Sequence, residues 1–183
     1  QALARQGVKE LNIISQDTTW YGRDLRRRDR SAPLLPELLR ALVAETDVAV
    51  HCGDFTGMAV VEGMRSSARK AVMVHGNSDP PELRQTLPFQ EVLRIGGRRV
   101  GITHPAWGGP PFEPEDLLPD FPQGVDIILF GHLHEPMNTA RQGVLFVNTG
   151  QGYASFLVPA TIALLTIGHQ EIRVEIHTIE PGR

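Results

Sequence analysis

Apolar residues along the chain come in short runs, and most runs stop at a glycine or a polar side chain. Leu11–Ser15, Val48–His51, Ala71–His75 and Val125–Phe130 are four such runs of strand length. Between them, Pro33–Thr46 sets Leu34, Leu35, Leu38, Leu39 and Leu42 on one helical face, and Met58–Ala68 repeats the helical period. Strand, helix, strand in that order predicts crossover connections and a largely parallel sheet. The second half reads differently. Glu91–Ile95 and Arg98–Thr103 flank Gly96-Gly97, a hairpin signature. Val144–Asn148, Thr161–Ile167 and Glu171–Ile179 form a further strand cluster, with Gly168-His169-Gln170 as the tight connection. Pro105–Pro122, rich in Pro and Gly, is predicted as a long surface loop with a short helix, and such loops are more often functional than idle. The pattern predicts one α/β domain over 1–183, parallel first and antiparallel later, with helices outside two sheets.

Composition narrows the function classes. A chain of 183 residues is long enough to bury a core of its own. Its net charge of -3 gives no broad basic surface, so neither general nucleic-acid binding nor attachment to anionic membranes is expected. The basic run Arg26-Arg27-Arg28-Asp29-Arg30 reads as a solvated face. Cys52 is the one cysteine, which excludes an intramolecular disulfide, a four-thiolate zinc site and an iron–sulfur cluster held by three cysteines. It suits a reducing cytoplasm, the expected location. No apolar stretch approaches the ~20 residues that span a bilayer.

Candidate chemistry gathers where the runs end. His51-Cys52-Gly53-Asp54 follows one strand and Gly76-Asn77-Ser78-Asp79 the next. Thr103-His104-Pro105 closes the hairpin, and Gly131-His132-Leu133-His134 follows Val125–Phe130. Strand ends of an open α/β sheet converge on a crevice, so these residues can meet. A carboxylate, an amide oxygen and imidazoles together suit Mn, Fe, Zn or Ni better than Ca or Mg. Gly53, Gly76 and Gly131 each precede a candidate ligand and are expected to take a positive φ. If His132-Leu133-His134 is extended, both imidazoles point to one side. A lone Gly-Asp is ordinarily a turn, and a lone buried His ordinarily a hydrogen-bonded core residue. Turn chemistry alone does not account for four such ends in sequence.

The ordered series GD, GNSD, TH and GHLH resembles the calcineurin-like metallophosphoesterases, in particular their small bacterial and archaeal phosphodiesterase group, which also resembles the retromer scaffold subunit. The likeness runs from about Val43 to Ile179, roughly three-quarters of the chain. It implies a four-layer αββα sandwich of two mixed sheets with a dinuclear metal centre. Carried over, Asp54 bridges two ions, Asn77, His104 and His132 complete the second site, and His134 belongs to the first. Asn148-Thr149-Gly150 stands where the family has Asn-Pro-Gly and is expected to wall the pocket, with Asp79 supporting the ligands from behind. Larger relatives place a proton-donating His where this chain has Ser78.

The family's opening Asp-x-His is altered. The chain reads Ile13-Ile14-Ser15-Gln16-Asp17-Thr18-Thr19-Trp20. Aligned on Ser15, Gln16 replaces the Asp and Thr18 the His; with one residue looped out, Asp17 is the ligand and Thr19 replaces the His. Either way an imidazole is missing, and a neutral Thr is a poor donor to a divalent ion. The stretch Gly7 to Leu25 resembles a strand–loop of the radical-SAM methylthiotransferases. That likeness implies a segment of one α/β fold in the first slot of another, extending at most to residue 42. The single cysteine excludes the radical-SAM chemistry itself.

The resemblance implies metal-dependent hydrolysis of a small phosphate-ester substrate by metal-bound hydroxide, with catalysis by Asp54, Asn77, His104 and His132. The ligand set is Asp17, Asp54, Asn77, His104, His132 and His134, for one or two divalent ions, Mn first and Zn, Fe or Ni as alternatives. Two ions ~3.5–4 Å apart would activate water and clamp the phosphoryl oxygens, while Trp107 and Phe112 could shape the substrate side. A catalytically weak or inactive scaffold of the same fold is the alternative, and the missing imidazole favours it. No membrane partner is expected, and a homo-oligomer stays open.

Overall fold

The computed structural model describes residues 9–14, 46–55, 57–105, 112–152, 158–168 and 170–179. In chain order the elements are β1 (Lys9–Ile14), β2 (Val48–His51), α1 (Met58–Ser67), β3 (Ala71–Met73), α2 (Pro81–Thr86), β4 (Gln90–Ile95), β5 (Arg98–Thr103), a 3-10 helix (Pro114–Asp120), β6 (Ile127–Phe130), β7 (Pro136–Arg141), β8 (Val144–Thr149), β9 (Thr161–Ile167) and β10 (Ile172–Thr178). The strands form two five-stranded sheets, ordered β10-β9-β1-β2-β3 and β4-β5-β6-β8-β7.

Alternation along the strands explains why the sheets stack. Successive side chains point to opposite faces, so Val48 and Val50 of β2 face inward with Val72 and Val74. They meet Val100, Ile102, Ile127, Leu129 and Val147 of the second sheet in one buried cluster. The opposite faces are covered too. Ala49 and Met73 pack under Val60, Val61 and Met64 of α1 and Leu83 of α2. On the far side Ile128, Phe130 and Phe146 pack under Leu117 and Phe121, from the 3-10 helix and its end. The layers are helix, sheet, sheet and helical turn, as the αββα reading expects. The N-terminal stretch that resembles another fold supplies the middle strand of its sheet: β1 pairs parallel with β2 and antiparallel with β9.

Several expectations need correction. The second half is not simply antiparallel, because β5, β6 and β8 run parallel. A period of two fixes faces and says nothing of direction; in the structure β6 is buried at all four positions, as parallel strands are. Strand β8 joins β6 and β7, whereas β9 and β10 join the first sheet. Strand β3 ends at Met73, and the amide of His75 donates to the Pro88 carbonyl at 2.9 Å. Two elements carry no signal in the sequence: β7, whose Pro136-Met137-Asn138-Thr139 start has no apolar run, and α2, which buries only Leu83. Of the helix expected over Pro33–Thr46, only Thr46 is described, and it is not helical; the rest, with Ser15, Asp17 and Trp107, lies outside the described residues.

Candidate metal centre

Four strand ends deliver the candidate ligands: β2 leads to Asp54, β3 to Asn77, β5 to His104 and β6 to His132. The first two loops touch so closely that one of them has no room for a side chain. A Cβ on Gly76 would stand 2.2 Å from Asp54 Oδ1 and 2.4 Å from its amide nitrogen. Gly53 turns the chain with φ of +91°, but neither Gly76 nor Gly131 has the positive φ expected of it. The positive φ falls instead on the candidate ligands themselves, Asp54 at 58° and His132 at 79°. Non-glycine residues in that region carry strain, which a fold tolerates where it aims a functional group. His132-Leu133-His134 is therefore bent, and the expectation of two imidazoles side by side on an extended segment is overturned.

The side chains of Asp54, Asn77, His104 and His132 meet. His104 Nε2 lies 2.9 Å from Asn77 Oδ1 and 3.4 Å from Asp54 Oδ2. His132 Nδ1 lies 3.0 Å from the same Asn77 oxygen, and the two imidazoles stand edge to face with centroids 5.5 Å apart. The backbone amide of Ser78 donates to Asp54 Oδ1 at 2.9 Å. Among the described residues no three His, Cys, Asp or Glu side chains are set to hold an ion by themselves. The Asn77 oxygen is what joins the set.

Protonation decides what such a cluster accepts. His104 is buried, and its Nδ1–H donates to the Cys52 carbonyl at 2.6 Å. Burial, the larger cause, lowers its pKa, while the Asp54 carboxylate works in the other direction. A neutral His104 with its proton on Nδ1 aims the Nε2 lone pair at a carboxylate and an amide oxygen. Three acceptors facing each other need a cation between them. Turned over, the Asn77 amide would donate one N–H to each imidazole, which satisfies the rings without an ion but leaves the Asp54 oxygen facing the lone pair. The donor set of one carboxylate, one amide oxygen and two imidazoles fits a borderline divalent ion.

The surroundings hold these loops in place. Asp79 is buried, accepts the Gly76 amide at 2.7 Å, and is pushed up to about 6 by that burial. Asn148 donates from Nδ2 to the Gly131 carbonyl at 3.2 Å and accepts from the Gly150 amide at 2.7 Å, so it braces the His132 loop. His134 donates from Nδ1 to Gln151 Oε1 at 3.0 Å, and no described contact joins it to the cluster. Phe112, expected beside the substrate, packs partly buried against the Phe130 cluster. Sequence reasoning gave no role to two residues here. His51 is fully buried, stacked on Phe55 at 3.9 Å, and held neutral near 3 by burial and then by His104. Arg84 donates from Nε to the Asp79 carbonyl at 2.9 Å and from its terminal nitrogen to the Asn77 carbonyl. Its one sequence signal was position, seven residues after Asn77 on the helix begun by Pro80-Pro81.

Two stacked mixed sheets with a carboxylate, amide and imidazole cluster at their strand ends define a metallophosphoesterase-type fold. Residues 29–170 match the calcineurin-like phosphoesterase superfamily domain, and the chain belongs to that superfamily. The protein named Probable metallophosphoesterase MJ0623, from Methanocaldococcus jannaschii, is 30% identical over 148 residues, covering 79% of this chain and 68% of that one. The solution structure of Thermotoga maritima protein TM1076 is 32% identical with a TM-score of 0.66, covering 93% of this chain and 99% of that one. The crystal structure of Entamoeba histolytica Vps29 complexed with zinc shares the fold at 23% identity, with a TM-score of 0.67 and coverage of 94% and 99%. A separate likeness is local: the ribosomal protein uS12 methylthiotransferase RimO of Caldanaerobacter subterraneus is 60% identical over 42 residues, 23% of this chain and 9% of that protein. Among the described residues, no helix is long and apolar enough to cross a membrane.

Proposed function

We propose that this chain hydrolyses small phosphate esters, as a phosphodiesterase or phosphomonoesterase, with a divalent transition metal ion held by Asp54, Asn77, His104 and His132. The observation that carries the reading is the convergence of two imidazole nitrogens on the Asn77 oxygen, with the His104 nitrogen also facing the Asp54 carboxylate. Mn is the first choice of ion, and Zn, bound by the Vps29 structure, is the second. A bound ion supplies Lewis acidity and makes a water acidic enough to attack phosphorus near neutral pH. Asp54 brings the negative charge, with one oxygen fixed by the Ser78 amide. His104 brings a neutral donor whose free nitrogen is set by the Cys52 carbonyl, and His132 brings a second imidazole from the opposite loop. Position 78 carries no imidazole, so leaving-group protonation falls to solvent or substrate. Hydrolysis of bis-p-nitrophenyl phosphate with added Mn tests the reading: it should occur, and be abolished by Asp54→Ala or His132→Ala.

One observation favours a second reading, a binding scaffold on the same fold. The opening motif offers Gln16 or Asp17 followed by a threonine, with no imidazole in either alignment. No turnover with Mn, Zn, Fe or Ni, together with specific capture of a partner, would decide for the scaffold. RNA modification is not proposed, because one cysteine cannot hold the cluster that RimO-type chemistry needs.

A further inference from the structure

We propose that Arg84 is a positioning residue for the ion site, acting through Asn77; this rests on the metal-site reading above. Asn77 sits in the turn Gly76 to Asp79, within the connection between β3 and α2. Asp79 closes that loop from inside by accepting the Gly76 amide, and Ser78 ties it to Asp54. Arg84 closes it from outside. Its guanidinium donates to the carbonyls of Asn77 and Asp79 together, gripping both ends of a tripeptide. A planar fork holds two acceptors at a fixed spacing, which the single ammonium of a lysine cannot do. The neighbouring Leu83, fully buried, anchors α2 and hence the base of the Arg84 side chain. The chain of contacts runs from the core through Leu83 and Arg84 to the Asn77 backbone, whose side chain meets both imidazoles.

Charge gives this proposal a distinctive sign. A guanidinium near a cation site repels the ion, so its loss through charge alone would tighten binding. Arg84 is itself exposed, and truncating an exposed side chain usually leaves the fold's stability nearly unchanged. Weaker ion binding in Arg84→Ala, with melting temperature retained, is therefore what positioning produces and what neither charge nor packing does. Partners that orient metal ligands typically contribute about 10–100-fold in affinity.

Mn2+ titration of the full chain, followed by the electron paramagnetic resonance of the free ion, tests this with four variants. Arg84→Ala should weaken binding by about 10–100-fold, and Arg84→Lys should recover little of it. In an Asn77→Ala background, which is itself weaker, Arg84→Ala should have no further effect, since the two act as one unit. Undiminished binding by Arg84→Ala while Asn77→Ala is impaired overturns the positioning role and leaves the site intact. Effects of the two substitutions that multiply also overturn it. Full-strength binding by Asn77→Ala removes the metal-site reading, and the proposal with it.

Discussion

The Nδ1–H of His104 is donated to the carbonyl of Cys52 at 2.6 Å, across 52 positions of sequence. That bond joins the two sheets at their strand ends and fixes which nitrogen faces Asp54. With burial keeping the ring neutral, the tautomer follows: proton on Nδ1, lone pair on Nε2. Long-range proton–nitrogen correlation of the metal-free protein at pH 7 should report that tautomer for His104. Removing the ring by His104→Ala should lower Mn-dependent kcat/KM by at least about 100-fold, the upper end of what outer partners contribute. A protonated ring, or activity retained in the variant, would contradict the assignment.

Gly76 is the tightest point between the Asp54 and Asn77 loops. The Cβ of an alanine there would overlap the Asp54 carboxylate and amide, both anchored by the chain, so the loops must separate. Overpacking of this kind costs about 1–3 kcal/mol. Gly76→Ala should lower the denaturation midpoint accordingly and abolish Mn2+ binding, measured by urea unfolding and calorimetric titration. Gly57→Ala, where an added Cβ meets nothing, is the control and should bind normally.

The site was more legible than the sheet that carries it. Asp54, Asn77, His104 and His132 each follow an apolar run, and burial of those runs is what brings their ends together. Strand direction was not readable, because Ile127–Phe130 would look the same running either way. Edge elements such as Pro136–Arg141 were invisible for the opposite reason, having little apolar surface to bury. The bend at His132 left no trace in sequence, since a positive φ at a non-glycine residue has no composition signal of its own. Arg84 could not be singled out because its role runs through backbone carbonyls, which every residue has.

Burial of His51 makes stability depend on acid. Its folded pKa is depressed to about 3 from an ordinary 6.5, so the folded state binds fewer protons than the unfolded one between those values. The associated stability is fully present above about pH 6.5 and is lost as pH falls toward 3, at up to about 1.4 kcal/mol per pH unit. Neither ring nitrogen has a hydrogen-bond partner among the described residues, so an apolar replacement sacrifices no bond. His51→Leu, in chelator, should match or exceed native stability at pH 7.5 and show a flatter slope between pH 6.5 and 5. An unchanged slope by urea unfolding at several pH values would show that His51 is not the group that titrates.

Ion stoichiometry follows from which imidazoles are committed. The side chains of Asp54, Asn77, His104 and His132 meet, four donors for the one ion proposed above. His134 gives its Nδ1 proton to Gln151, and among the described contacts none joins it to those four, so a second ion would depend on what the opening motif provides. Asp17 lies outside the described residues, and neither alignment of that motif gives it an imidazole to work beside. A site with so few strong donors should lose its ion on dialysis. Elemental analysis after loading with Mn2+ and dialysis should find close to one equivalent per chain. His134→Ala should keep that equivalent, whereas His132→Ala should lose it. Two equivalents in the native chain, one of them lost in His134→Ala, would mean that the first position is complete and that the opening segment supplies a ligand its sequence does not advertise.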